Sequence, residues 1–238
     1  MSTATLTGKR DWATAKRDAG DFYRLFPSTV WRGWSAAGSV RRRCPEVGDV
    51  DHVVIPAVGE LAGDGLFGAT EPANLLWHHL DGLVAAGTVA KAWNGRSFCW
   101  GEKKRSVSFR GFTHEVWTAD ADNWGSVLAI RTGPDPFSQR LVVGLQRQGY
   151  CNDGGYVWDK GMIACRCGGW SGSWDDLRRL PVGTLGSGAK WTTGRGEPVV
   201  CPVCGWGGRL EMGRMSVPDE RRYFELAGEP WREPKERT

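Results

Sequence analysis

The sequence predicts an α+β fold, and three observations carry that prediction. Apolar residues recur at helical period in two stretches, residues 11–26 (Trp12, Ala15, Ala19, Phe22 or Tyr23, and Phe26) and residues 74–86 (Leu75, Leu76, Leu80, Leu83, Val84). Short runs of strand composition, set off by Gly and Pro, occupy residues 30–36, 50–55, 88–93, 97–101, 104–109 and 113–119. Two cysteine pairs with metal-ligand spacing mark off a separate Gly-rich segment, residues 160–213.

In chain order, residues 1–8 are small and polar and are expected to fray. The first helix follows, ended by Pro27. The strand at 30–36 leads into a Gly38-Ser39 turn and three arginines, Arg41 to Arg43. A second turn, residues 45–48, precedes Asp49-x-Asp51 at the head of an apolar run. Side chains alternate along a strand, so Asp49 and Asp51 share a face. Adjacent carboxylates repel unless a cation lies between them. Their oxygens suit a hard ion such as Mg²⁺ (or Mn²⁺) where phosphates are also bound. The Gly-Ser turn offers backbone N–H groups and a hydroxyl, and the arginines offer forks for phosphate oxygens. A nucleoside triphosphate with its metals needs this set. A Gly-rich turn before a buried strand, with the aspartates as turn residues, is the plainer alternative. Residues 56–72 read as a loop, and Gly87 as the cap that ends the second helix.

Composition narrows the class. The chain has 238 residues, 24% of them charged, and a net charge of +4, which is compatible with a polyanion partner. No apolar run approaches the roughly 20 residues of a membrane span, and the N-terminus lacks the apolar core of a signal peptide. The seven cysteines are odd in number and unevenly placed, which points to a reducing cytosol and no disulfide framework. Most of the 14 tryptophans serve as scaffold in this reading, with a few left to stack on bases.

Cys165-x-Cys167 and Cys201-x-x-Cys204 are each followed by glycine, which lets the backbone turn N–H groups toward sulfur. Four thiolates suit a closed, structural Zn²⁺ site. Free thiols or an iron–sulfur cluster are the alternatives. Arg166, Arg178, Arg179, Lys190 and Arg195 with Trp170, Trp174 and Trp191 fit a nucleic-acid contact, or the segment only braces its neighbours.

The string from Gly38-Ser39 through Arg42 to Gly48-Asp49-x-Asp51 closely resembles the nucleotidyltransferases of DNA polymerase family X, the DNA polymerase beta-like group. Later segments repeat the resemblance in order: Trp124 to Thr132-Gly133, the helix-like stretch from Phe137, the hairpin-like stretch to Trp158, and Asp219 to Pro234. The resemblance implies a palm with a mixed sheet and flanking helices, and a small thumb interrupted by a zinc-ribbon insertion. The implied division is 1–28 as an N-terminal helix on the palm, 29–120 as palm, 121–159 and 214–238 as thumb, and 160–213 as zinc ribbon. The resemblance is to a minimal palm-and-thumb form, of the kind found among viral or bacteriophage enzymes.

The resemblance further implies that Asp49, Asp51 and Glu115 hold two Mg²⁺ or Mn²⁺ ions, with Glu115 where the family usually has aspartate. Gly38, Ser39 and Arg42 would bind the β- and γ-phosphates, Gly48 would allow close backbone approach, and Thr132, Gly133 and Asp135 would meet the nucleotide's sugar and base. Ile130 and Arg131 stand where the family commonly has aromatic residues. Lys103 and Lys104 are candidates for a primer phosphate. The expected protein is a monomeric DNA polymerase, adding nucleotides from NTP or dNTP to a DNA 3′-hydroxyl, with a repair role, in the cytoplasm of a bacterium or a phage-infected cell. Two alternatives stay open: nucleotidyl transfer to tRNA, a small molecule or a protein, and a non-catalytic nucleic-acid-binding zinc protein.

Overall fold

Asp11 starts the first helix by accepting the Thr14 backbone N–H at 3.0 Å, which satisfies one of the donors a helix N-terminus leaves open. A short strand, β1 (Arg10–Asp11), leads into α1 (Trp12–Tyr23), whose buried face carries Ala15, Ala19 and Phe22. The computed structural model describes residues 8–62, 70–93, 95–173, 176, 179–183, 199–206 and 210–237. Residues 1–7, and with them most of the expected frayed end, lie outside that set, as do Trp174, Arg178, Lys190, Trp191 and Arg195.

Next come β2 (Trp31–Ala36), α2 (Gly38–Arg42), β3 (Glu46–Val47) and β4 (Val50–Pro56). They are followed by β5 (Val58–Ala62), β6 (Thr70–Asn74), α3 (Leu75–Ala85), β7 (Ala90–Lys91), β8 (Lys104–Phe109) and β9 (Phe112–Thr118). The main sheet has the order β2-β4-β9-β8-β7. It is mixed: β4 and β9 run parallel, and the other pairs are antiparallel. Alternation along β4 sets its two faces. Val54 joins Phe22, Phe26, Leu76, Leu80, Val107 and Val116 under α1 and α3. Val53 points the other way, with Ala37, Ala119 and Leu128, under α4 (Trp124–Thr132).

A second core lies between α5 (Asp135–Arg147) and α6 (Glu220–Ala227), through Leu141, Leu145, Val157, Tyr223 and Phe224. A Cβ at Gly144 would lie 2.4 Å from the Ala227 carbonyl oxygen, so only glycine lets α5 approach the end of α6 this closely. Between these helices run β10 (Tyr150–Asp153), β11 (Tyr156–Cys165), β12 (Ser171–Ser173) and β13 (Leu210–Met215). β11 pairs with all three of its sheet-mates; its register with β13 shifts between Asp159 and Ile163, but the strand itself runs on to Cys165 and so joins the α5–α6 unit to the cysteine pairs.

Two local expectations differ from the structure. Residues 56–72 are not a loop throughout: β5 and β6 form an antiparallel hairpin, Val58 opposite Asn74 and Ala62 opposite Thr70. This hairpin stands apart from the main sheet, where backbone hydrogen bonds suffice and apolar alternation is not needed. Residues 97–101 form isolated bridges at Phe98 and Trp100 in place of a strand.

His52 and His114 occupy the α1 side of the sheet, fully buried against Phe22. Trp34 Nε1–H donates to His52 Nδ1 at 3.1 Å, and His52 Nε2 lies 3.0 Å from His114 Nδ1. Since His52 Nδ1 accepts, its proton is on Nε2, and His114 in turn carries its own on Nε2, which has no partner. Burial holds both rings neutral, His52 well below the ordinary imidazole value and His114 at about 3 with help from Arg10.

Glu220, 5% exposed at the start of α6, ties the two cores together. It accepts two hydrogen bonds from the Arg41 guanidinium and one from Arg237, both Oε1 contacts being 2.8 Å. Removing the carboxylate leaves two guanidinium groups without their counter-charge. Glu220→Ala is therefore expected to destabilise the protein by about 3–5 kcal/mol in chemical denaturation. A loss below about 1 kcal/mol would show that solvent replaces the carboxylate.

Candidate active site

Strand alternation and parallel register assemble the acidic site. Asp51 on β4 sits directly opposite Glu115 on β9. Asp49 lies two residues earlier, on the same face. Burial, then Asp49 and Glu115, raise the Asp51 carboxyl to about 7, while the Trp117 N–H and Arg131 work against the shift. Asp49 is raised as well, by burial and by Glu115, with Lys104 opposing. The cluster thus carries more negative charge than its surroundings neutralise.

Asp51 and Glu115 have distinct partners. Asp51 Oδ1 accepts the Trp117 indole N–H at 3.2 Å. Glu115 Oε2 is 2.7 Å from Lys104 Nζ, so Glu115 turns toward β8. Among the described residues, the four thiols gather within 4.8 Å of one another, and the three acids are not grouped with them. The Arg131 guanidinium stacks 3.4 Å over the Trp117 ring and faces Asp51 and Glu115. Lys104 lies over the same ring at 4.5 Å.

α2 brings the Gly-Ser segment against this cluster. Gly38 has φ +57°, and a Cβ there would lie 2.2 Å from Asp51 Oδ2. Both the backbone and the carboxylate therefore require glycine. The Ala37 N–H donates to the Asp51 carbonyl oxygen at 2.8 Å, fixing the start of α2 to β4. Arg42 donates to the Thr132 carbonyl oxygen, and Arg41 donates to Thr132 Oγ1 at 2.7 Å. The structure thus joins the Gly38-Ser39 turn to the Thr132-Gly133 turn at the end of α4. Ser39 is half-buried on α2, and Asp135 is exposed at the start of α5.

Three more of the residues have surroundings that the structure describes. Gly48 sits in an exposed turn where a Cβ would meet nothing within 4 Å, so no protein contact there demands glycine. Ser138, three residues past Asp135, is buried and donates to the Ile130 carbonyl oxygen at 2.9 Å. Lys103 Nζ lies 3.4 Å from the Gly154 carbonyl oxygen. Arg131 and Trp117 were missed as site residues, although Trp117 shares the face of Glu115 by simple alternation.

Gly38→Ala is expected to cost about 1–2 kcal/mol through its left-handed backbone. It also forces the Asp51 carboxylate aside, and a displacement of about 1 Å at a reacting centre costs about 100-fold in rate. Gly48→Ala, tested beside it, should leave stability and rate unchanged. Equal effects from the two substitutions would contradict this placement of Gly38.

The four cysteines form a separate centre. Cys165 and Cys204 sulfurs are 3.7 Å apart, as are those of Cys167 and Cys201. A tetrahedral site with Zn–S bonds of about 2.3 Å has sulfur–sulfur edges of about 3.8 Å, so the set fits zinc. The Gly169 N–H points at the Cys167 sulfur at 3.4 Å. Burial works against the Cys201 thiolate, but hydrogen bonds from the Cys204 and Val203 backbone N–H groups and from the Cys165 and Cys167 side chains together outweigh it and hold the thiol at about 7.

No protein-family model and no curated protein matches the sequence. Solved structures do match the fold. The ternary P/T complex of Leishmania infantum polymerase beta is 14% identical, with a TM-score of 0.56 over 98% of this chain and 78% of that one. The ternary gap complex of the same polymerase is 16% identical, with a TM-score of 0.58 over 98% of this chain and 72% of that one. The chain therefore has a polymerase beta-like fold. Among the described residues, no helix is long and apolar enough to cross a membrane.

Proposed function

We propose that the chain is a metal-dependent nucleotidyltransferase, a small family X-like DNA polymerase that adds nucleotides from NTP or dNTP to a DNA 3′-hydroxyl. The observation that carries this reading is the parallel β4–β9 pairing, which sets Asp51 beside Glu115 with the Gly38 turn pressed against Asp51. Asp49, Asp51 and Glu115 would hold two Mg²⁺ or Mn²⁺ ions, which when bound supply activation of the attacking hydroxyl and stabilisation of the departing pyrophosphate. The oxygen-only donor set and the raised Asp51 and Asp49 carboxyls support that fit.

The remaining chemistry belongs to the chain. Ser39 and the backbone at the start of α2 receive the β- and γ-phosphates. Arg42, held at Thr132, presents the rest of its guanidinium fork on that side. Thr132, Gly133 and Asp135 border the nucleotide's sugar and base. Arg131 stands beside the acids and balances part of their charge. Lys104 pairs with Glu115 and balances part of its charge. The four cysteines hold a structural Zn²⁺ at the end of β11, in a ribbon appended to a thumb built from α5 and α6.

A primer-extension panel with Mg²⁺ or Mn²⁺ tests the acceptor. It compares gapped DNA, single-stranded DNA and tRNA, each with dNTPs and with NTPs. Extension of gapped DNA is the expected result. Extension of tRNA alone would move the assignment to an RNA-modifying transferase, and incorporation on none of them would overturn the polymerase reading.

A further inference from the structure

A second cavity, about 470 Å³, lies behind α2, within the range of about 300–1,000 Å³ that small-molecule sites occupy. One wall is a stripe of α1 at helical spacing, Trp12, Lys16, Gly20 and Tyr23. The opposite wall is Trp31 and Trp34 of β2, and Arg43 closes the α2 side. Tyr23 lies 5.5 Å from both tryptophan rings at interplanar angles of 54° and 73°, so these rings do not stack on one another. Lys16 Nζ sits 4.9 Å from the Trp12 ring and the Arg43 guanidinium 5.8 Å.

The charge pattern selects the ligand. No aspartate or glutamate lines the cavity. Among the described residues, no ion pair joins Lys16 or Arg43 to a carboxylate. A cationic ligand is repelled by these two groups, and a purely apolar one leaves them without a counter-charge. A planar base with an attached phosphate satisfies the rings and the cations together, and base–aromatic stacking contributes about 1–3 kcal/mol per base. We propose that this cavity holds one unstacked nucleotide of a single-stranded nucleic acid, its base among Tyr23, Trp31 and Trp34 and its phosphate on Lys16 and Arg43. A strand seated here runs behind α2, away from the acid cluster. The proposal does not rest on the catalytic reading, because the cavity uses none of the carboxylates.

The test uses the full chain carrying Asp51→Asn, without divalent cations, so that loss of catalysis cannot affect it. An eight-nucleotide oligo(dT) with one 5-iododeoxyuridine is photo-crosslinked and the adduct mapped. Crosslinks are expected within residues 12–34. Gly20→Leu fills the cavity, since a Cβ at Gly20 meets nothing within 4 Å. Leucine also favours the helix over glycine, so α1 is retained. This variant should weaken oligo(dT) binding about tenfold. Lys16→Glu should weaken it as well and reduce the salt slope by about 0.7. The proposal is overturned if folded Gly20→Leu binds within about twofold of the parent, or if crosslinks fall only outside residues 12–34. It is also overturned if 5-iodo-dUMP labels this segment and oligo(dT) does not compete, which would make the cavity a mononucleotide site.

Discussion

Asp51→Asn is expected to lower nucleotidyl transfer at least about a thousandfold while making the metal-free protein more stable at pH 8. The rate loss follows from the several kcal/mol of charge stabilisation that a bound cation supplies, at about 1.4 kcal/mol per tenfold. The stability gain follows from burial and crowding. Asp51 titrates near 7 in the folded, metal-free chain, against 3.8 as its ordinary value. Below about pH 4 both folded and unfolded states keep the proton, and no penalty exists. Between about pH 4 and pH 7 the unfolded state loses it first, so stability falls as pH rises. Above pH 7 the full penalty is present, about 2–4 kcal/mol. Asparagine keeps the acceptor for Trp117 and removes the charge. The neutral histidine pair has the opposite slope, losing stability as pH falls below about 6.5. Subtracting the Asp51→Asn curve from that of the unsubstituted protein isolates the aspartate. Thermal unfolding from pH 4 to pH 9 in chelator reads the difference. A flat difference curve would mean that Asp51 is ordinarily ionised.

Zinc removal is the second large effect. Among the described residues, the buried cluster around the cysteines comprises Ile163, Cys165, Val199 and Cys201, with Trp170, Leu180 and Cys204 partly buried against it, so three of these seven are proposed ligands. A segment this short and Gly-rich, residues 160–213, is expected to need a staple beyond apolar burial. Structural zinc contributes about 10–16 kcal/mol of apparent binding energy in isolated zinc modules, and here that energy would be folding energy. Cys201→Ser, or a strong chelator, should release the metal and abolish amide protection in β12 and in residues 199–206. Protection in the main sheet, α5 and α6 should persist, because their cores share no residue with the cysteine cluster. Unchanged protection after complete zinc loss would show that the segment folds without metal.

Part of the acidic face was legible from period, since Asp49-x-Asp51 declared a shared face. The run at residues 113–119 put Glu115 on a strand, but it was the family resemblance that set that strand beside Asp51. The cysteine spacing likewise announced four converging sulfurs. What stayed hidden depends on contacts between distant segments. Arg41 and Glu220 meet across 179 positions, and no local pattern pairs them. Lys104 meets Glu115 only because the turn at Gly111 sets the β8–β9 register, which pairs Lys104 with Trp117. Arg131 drew notice only for the aromatic it replaced, although stacking on Trp117 gives it a position beside the acids. The β5–β6 hairpin escaped detection because its composition is that of a loop.

Cation binding at the carboxylates is the most direct test of the whole reading. Mn²⁺ would be titrated into the zinc-loaded chain with a non-hydrolysable dNTP and followed by electron paramagnetic resonance. The unsubstituted protein is expected to bind about two ions with release of a proton near pH 7, and Cys201→Ser Mn²⁺ binding should match it. The chain carrying both Asp49→Asn and Asp51→Asn should bind neither ion. Equal Mn²⁺ binding by that double variant would place the metal elsewhere and contradict the assignment of Asp49, Asp51 and Glu115.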